Sequence, residues 1–161
     1  MIDNIFKARE ERYKYILKLI ERYRLPIICG KINYPGANKN TSAADKIFNM
    51  LLDKLYGEFR ESIIFSRLLE GYDGKSLIII VNVDQLTAKK RVVKIEEENR
   101  IGRLYDIDVY SLRGISLSRK ELGLQPRKCI ICNENPWICR KLNKHKLSEL
   151  LTEIDNILKD K

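Results

Sequence analysis

The run Leu77-Ile-Ile-Ile-Val81 is the longest uninterrupted apolar stretch in the chain. Five residues fall far short of the roughly 20 needed to cross a bilayer, so no membrane span is expected. A short apolar run rich in β-branched residues reads instead as a strand. Glu61 to Leu69 has a similar composition, and Gly71-Tyr-Asp-Gly74 stands between the two segments. Together they predict a hairpin with a short loop, its second strand reaching Val83. The first turns carry Asp3, Lys7, Arg9, Glu10 and Glu11, a pattern unlike a secretory signal. A soluble, cytoplasmic protein is the expectation.

Other elements follow from periodicity and punctuation. Ile5, Ile16, Leu19, Ile20 and Tyr23 recur at spacings of three and four, predicting a helix over 3–24 that Pro26 ends. Leu25 to Ile32 reads as a strand, and the Pro-Gly loop 34–40 follows it. Ser42 is expected to cap a helix to about Tyr56, with Ile47, Met50, Leu51 and Leu55 on its apolar face. Asp84 offers a cap for a helix to about Asn99, although Arg91-Val-Val-Lys-Ile95 would also serve as a strand. Arg103 to Leu112 alternates as a strand, with a short return over 114–117. Leu147, Leu150, Leu151, Ile154, Ile157 and Leu158 form one stripe, predicting a packed C-terminal helix over about 145–159.

After the first helix this order is βαββαβ. It suits an α+β fold in which an antiparallel sheet carries helices on one face. At 161 residues the chain is expected to form a single domain, 1–161. Folding should bury roughly 70% of its extended surface, enough for a core without covalent staples. With 44% apolar and 33% charged residues and only 8 Gly and 4 Pro, disordered and collagen-like chains are excluded.

The net charge of +9 is unevenly placed. The basic segment 113–146 holds nine Lys and Arg against Glu121 and Glu134, a net of +7 in one fifth of the chain. A field of one sign attracts polyanions or acidic partners, or it serves only as a solvated face.

Two constellations could carry chemistry. In Gly102-Arg-Leu-Tyr-Asp-Ile-Asp-Val109, residues two apart on a strand share a face, so Asp106 and Asp108 project together. Paired carboxylates repel, and a divalent cation removes that cost; Mg²⁺ is typically held by one or two carboxylates with substrate phosphates. Arg103, Arg119, Arg127 and Lys39 are the neighbouring cations suited to gripping phosphate. Carboxylates and guanidinium groups in this combination serve phosphoryl or nucleotidyl transfer. The alternative is two exposed acids at a sheet edge. The second constellation is Cys129, Cys132, Cys139 and His145, spaced C-x2-C-x6-C-x5-H within 17 residues and including the only histidine. Four such ligands would close a tetrahedral, structural Zn²⁺ site; the alternative is a set of reduced thiols. Cys29 reads as a small core residue.

These segments resemble the family of the citrate lyase holo-acyl-carrier-protein synthase, also called apo-citrate lyase phosphoribosyl-dephospho-CoA transferase. The resemblance rests on the Gly102–Val109 motif, Ser118-Arg119, Arg127-Lys-Cys-Ile-Ile-Cys132, Cys139-Arg140 and His145. Upstream, Ala8-Arg-Glu-Glu-Arg12 is similar to the family's Arg-Asp-Glu-Arg element, and Asn33-Tyr-Pro-Gly-Ala-Asn-Lys39 to its Asn-x-Pro-Gly-Pro-x-Lys loop. Glu10, Ala37 and Asn99-Arg100 depart from the family's Asp, Pro and His-Pro. The last departure leaves any role of that histidine unfilled.

The resemblance implies a nucleotidyltransferase-type enzyme. It would move the phosphoribosyl-dephospho-CoA group from 2′-(5″-triphosphoribosyl)-3′-dephospho-CoA to a serine of the citrate lyase acyl carrier (γ) subunit, releasing pyrophosphate. Asp106, Asp108 and Arg103 would then be catalytic, the two aspartates as Mg²⁺ ligands. Lys39, Arg119 and Arg127 would bind the triphosphate, and the basic segment could dock an acidic carrier. The sister transferase of malonate decarboxylase is an alternative within the class. A zinc-stabilised nucleic-acid-binding module is one outside it, disfavoured because Trp137 is the only aromatic residue between Arg113 and Lys146.

Overall fold

A computed structural model describes residues 2–160; the two end residues of the expected domain lie outside the described residues. α1 (Ile2–Tyr23) stops where Arg24 takes a left-handed backbone, φ 53°, and returns its amide to the Ile20 carbonyl. β1 (Ile27–Ile32) follows, then α2 (Ser42–Phe59). The cap of α2 is Thr41 rather than Ser42: Thr41 keeps an extended backbone and its hydroxyl accepts the Ala44 amide, while Ser42 is already helical. β2 (Ile63–Gly71) and β3 (Gly74–Val81) form the expected hairpin around Tyr72-Asp73.

α3 (Gln85–Glu97) is capped by Asp84. Burial of Ala88, Val92, Val93, Ile95 and Glu96 follows the helical period, so residues 91–95 are not a strand. A 3₁₀ turn over Arg100–Leu104 leads into β4 (Tyr105–Tyr110), two residues shorter at each end than the sequence predicts. The expected return strand over 114–117 contracts to one bridge, Tyr110 with Ser116, flanked by a bond from the Leu117 amide to the Val109 carbonyl. A 3₁₀ turn at Arg119–Leu122 and the short helix α4 (Pro136–Lys141) precede α5 (Leu147–Lys159).

The strands run β4-β1-β3-β2 with every neighbouring pair antiparallel, the order of a split βαββαβ sheet. The fold is the expected α+β, but helices cover both faces. On one face Ile28, Leu77, Ile79, Val81, Ile107 and Val109 pack with α2, α3 and α5. On the other, Ile27, Cys29, Ile78 and Ile80 pack under Ile16, Leu19 and Ile20 of α1. The physical reason is the apolar run of β3. Side chains alternate, so Leu77 to Val81 is apolar on both sides and needs cover on both. Each fully buried side chain contributes about 1.5–3 kcal/mol, so Ile16, Leu19 and Ile20 hold α1, and Ile154 and Ile157 hold α5, against the sheet. Among the described residues no helix is long and apolar enough to cross a membrane.

Candidate active site

The alternation of β4 buries Tyr105, Ile107 and Val109 and turns Asp106 and Asp108 toward the other face, as predicted. There β1 supplies a partner. Lys31 lies opposite Asp106 in the strand register, and Cys29 opposite Asp108. The Lys31 ammonium sits 3.0 Å from Asp106 Oδ2 and 2.9 Å from Asp108 Oδ2. Ser116, on the return segment beyond the β4 edge, donates its hydroxyl to Asp108 Oδ1 at 3.1 Å. Burial disfavours the Lys31 charge, yet the two carboxylates outweigh it and hold the ammonium above its ordinary pKa. One carboxylate oxygen from each aspartate thus converges on a single cationic point. That convergence, with an all-oxygen donor set, fits a hard divalent cation.

The same β1–β4 ribbon ends in a cavity of about 460 Å³. Pairing continues past the strand ends through the Asn33 amide and the Leu104 carbonyl, 2.7 Å apart, and Asn33 and Arg103 both line the cavity. Its walls carry Arg9, Lys39, Arg103, Arg127, Lys128 and Arg140 and no carboxylate. Burial, with Arg9 and Arg140 nearby, lowers the Lys39 pKa. The Lys39 ammonium is bonded to the Tyr34 carbonyl across the Pro-Gly loop. Burial, with Arg127 and Arg119 close, also lowers the Arg103 pKa. Six cations line the cavity, with Asp73 and Glu96 standing behind Arg9 and Arg127, and the surplus of positive charge suits a polyanion.

Three residues of this cavity, Arg9, Lys128 and Arg140, are absent from the binding set expected from the sequence. Arg9 arrives from α1, where the sequence marks it only as part of the Ala8-Arg-Glu-Glu-Arg12 element. Lys128 and Arg140 sit beside the cysteines, and only folding of that segment points them inward. Lys31 was missed as well. Its signal is a charge two residues after Cys29 in an otherwise apolar strand.

Arg119 and Arg127 direct their guanidinium groups into the protein. Arg127 donates to the carbonyls of Tyr105 (2.5 Å), Arg103 (2.8 Å) and Gly102 (2.9 Å). Arg119 donates to Glu96 at 3.0 Å, to Glu97 and to the Gln125 carbonyl at 3.2 Å. Between them Glu96 is 4% exposed; burial raises its carboxyl pKa against the pull of Arg127, Lys89 and Arg119. Gly102 is required at this junction, because a Cβ there would stand 2.4 Å from the Glu96 carbonyl oxygen. Arg119 lies outside the cavity, in a neighbouring groove with Lys120, Leu124 and Trp137.

The Cys/His cluster closes as the spacing predicts. The ligand atoms of Cys129, Cys132, Cys139 and His145 lie within 4.8 Å of one another. Cys132 Sγ is 3.5 Å from Cys139 Sγ and 3.3 Å from His145 Nε2. The Glu134 amide, then His145, hold the Cys132 thiol below its ordinary pKa, while burial pushes Cys139 up. Three thiols and an imidazole at these separations suit Zn²⁺ and leave no position open for catalysis. α4, capped by Asn135 with Pro136 at its first position, supplies Cys139.

By its family and relatives the protein is a transferase. The chain belongs to the family CitX, apo-citrate lyase phosphoribosyl-dephospho-CoA transferase, whose model matches residues 1–161. A Haemophilus influenzae protein called CitXG is 30% identical over an alignment of 161 positions that covers 97% of this chain but 34% of that protein. A Vibrio cholerae protein named as a probable apo-citrate lyase phosphoribosyl-dephospho-CoA transferase is 26% identical, with 99% of this chain matched to 92% of that one. An Escherichia coli protein named as the same transferase is 26% identical, matching 99% of this chain and 88% of its own length.

Proposed function

We propose that residues 1–161 act as one cytoplasmic transferase domain that loads the acyl carrier (γ) subunit of citrate lyase. The donor is 2′-(5″-triphosphoribosyl)-3′-dephospho-CoA. A carrier serine hydroxyl attacks the α-phosphorus, the bond to the β-phosphate oxygen breaks, and pyrophosphate leaves with that electron pair. The serine proton passes to solvent. The observation that carries this reading is the carboxylate-free cationic cavity at the end of the ribbon that bears Asp106 and Asp108.

Arg9, Lys39, Arg103, Lys128 and Arg140 neutralise the triphosphate within the cavity. Asp106 and Asp108 would hold Mg²⁺, which supplies charge stabilisation on the phosphate oxygens when bound. Arg103 orients the donor next to the aspartates. Arg127 and Arg119, bonded as they are to backbone and Glu96, position the Gly102–Val109 segment. Zn²⁺ on the cysteines and His145 would fix Lys128 and Arg140 in the cavity wall. The acidic carrier is taken up on the basic surface around Trp137 and Lys141, on the outer side of α4.

The test is a transfer assay with this protein, Mg²⁺, the donor and the apo carrier, read by carrier mass. The expected result is a gain equal to phosphoribosyl-dephospho-CoA that disappears without Mg²⁺. Asp106→Asn and Asp108→Asn should keep the fold and lower the rate by about a thousandfold, since each removes charge at the reacting phosphate. Gain on the malonate decarboxylase carrier alone would assign the sister activity. No gain on either carrier would overturn the reading.

A further inference from the structure

We propose that Lys31 is a built-in counter-ion of the Asp106–Asp108 pair, one that keeps the pair from taking up a bare divalent cation and makes metal entry depend on polyphosphate. This rests on the reading of the aspartates as the metal site.

The geometry is competitive. The ammonium bonds the same Oδ2 atom on each aspartate, at 3.0 and 2.9 Å. Magnesium binds carboxylate oxygen at about 2.1 Å, so an ion held by those two oxygens would lie within the contact distance of the ammonium. Either the ammonium moves or the ion stays out. Both carboxylates hold the ammonium in place and its side chain is 20% exposed, so a metal must displace it from oxygens it already bonds. The remaining oxygen of Asp108 is engaged by Ser116.

Charge works in the same direction. Two carboxylates alone would present a doubly negative site open to any divalent ion. With Lys31 in place the net is one negative charge, and the adjoining cavity adds Arg9, Lys39, Arg103, Lys128 and Arg140 without a carboxylate. A free cation therefore approaches a locally positive region. A metal–polyphosphate complex arrives with net negative charge and satisfies the cavity first. Its phosphate oxygens then supply ligands that the two aspartates lack. Metal and phosphate binding become coupled, and each raises the affinity of the other.

The experiment is a titration of the zinc-containing protein with Mn²⁺ alone, following free Mn²⁺ by electron paramagnetic resonance. It uses wild type, Lys31→Met, Lys31→Gln and the double variant Lys31→Met with Asp106→Asn. Lys31→Met should bind Mn²⁺ tighter than wild type by on the order of tenfold, and Lys31→Gln should do the same. Calorimetry on wild type should find preformed Mn²⁺–tripolyphosphate bound on the order of tenfold tighter than Mn²⁺. Equal Mn²⁺ affinity in wild type and folded Lys31 variants would overturn the proposal. So would wild type binding Mn²⁺ as tightly as the tripolyphosphate complex, a measurement that needs no variant. If the double variant keeps the full affinity of Lys31→Met, the metal does not sit on the aspartates and the underlying reading itself fails.

Discussion

The Arg127 guanidinium donates to the Tyr105 carbonyl at 2.5 Å, tying the basic C-terminal segment to the first residue of the strand that carries Asp106 and Asp108. The same side chain holds the Gly102 and Arg103 carbonyls and lies 3.5 Å from Glu96. Its removal would strand three carbonyls and leave Glu96 with less compensation. Arg127→Met is therefore expected to lower stability by about 3 kcal/mol, from charged hydrogen bonds and a buried carboxylate. In a chain of this size that corresponds to a fall in melting temperature of about 6–12 °C. Arg127→Lys should rescue little, because one ammonium cannot reach carbonyls that a planar fork spans. Thermal melts followed by circular dichroism check this, and a wild-type melt for Arg127→Met would remove the clamp.

Local features of the fold were legible because local residues dictate them. Asp84 caps α3, Gly71 and Gly74 flank the hairpin turn, and Leu151, Ile154, Ile157 and Leu158 of the expected stripe pack α5 while Leu147 stays exposed. The alternation that pairs Asp106 with Asp108 is a property of one strand, and the cysteine spacing lies within one segment. What stayed hidden depends on long-range register. Lys31 meets Asp108 across 77 positions, and a lone charge in an apolar strand marks Lys31 without naming its partner. Arg9 reaches the cavity because α1 covers the second sheet face, which follows from β3 being apolar on both sides. Arg119 and Arg127 turn inward because Glu96 is buried, and a glutamate near a helix end gives no sign of that by itself. The cap of α2 differs by one residue because adjacent hydroxyls at Thr41 and Ser42 are equivalent until backbone angles separate them.

Metal removal should act locally. The cysteine segment adds Ile130 to the main core, while the sheet and its helices pack without it. Protein purified without chelator is expected to carry about one zinc per chain, and Cys132→Ser to carry none. Chelation should open the region around 128–146 to protease while the far-ultraviolet dichroism of the sheet and long helices persists. Elemental analysis with limited proteolysis reads both. Loss of the whole fold on chelation would place the cluster at the centre of stability instead.

Alkaline pH should destabilise the α1-covered face. Burial pushes the Cys29 thiol from 9.0 up to about 12 and the Tyr110 phenol from 10.0 up to about 12. Lys31, desolvated but held by Asp106 and Asp108, also keeps its proton above the ordinary 10.5. In each case the folded protein holds a proton that the unfolded chain releases first. Stability is thus complete below about pH 9 and falls as pH rises, by about 1.4 kcal/mol per pH unit for each group so engaged. Urea denaturation at pH 8, 9.5 and 10.5 should show this decline, and Tyr110→Phe should flatten its upper part. A free energy of unfolding that is constant across the range would contradict it.

Arg9 and Arg140 reach the cavity from different elements, one on α1 and the other on α4, so each can be removed without disturbing the element that carries the other. Arg9 is exposed and only 3.9 Å from Asp73 at its nearest approach, so its loss leaves the fold intact. If each arginine makes charge-assisted bonds to phosphate in the ground state, as proposed, removing one costs about 1.5 kcal/mol, or roughly tenfold in affinity. Arg9→Ala and Arg140→Ala are expected to raise KM for the triphosphate donor by about tenfold each while kcat changes less than about twofold. Both lie near Lys39 and meet one triphosphate, so the double variant should depart from the roughly hundredfold effect that independent sites would give. Lys90→Ala removes the same charge from an exposed position on α3, which packs on the opposite sheet face, and should leave KM unchanged. If Lys90→Ala raises KM as much as the arginine variants do, net charge rather than the cavity recruits the donor.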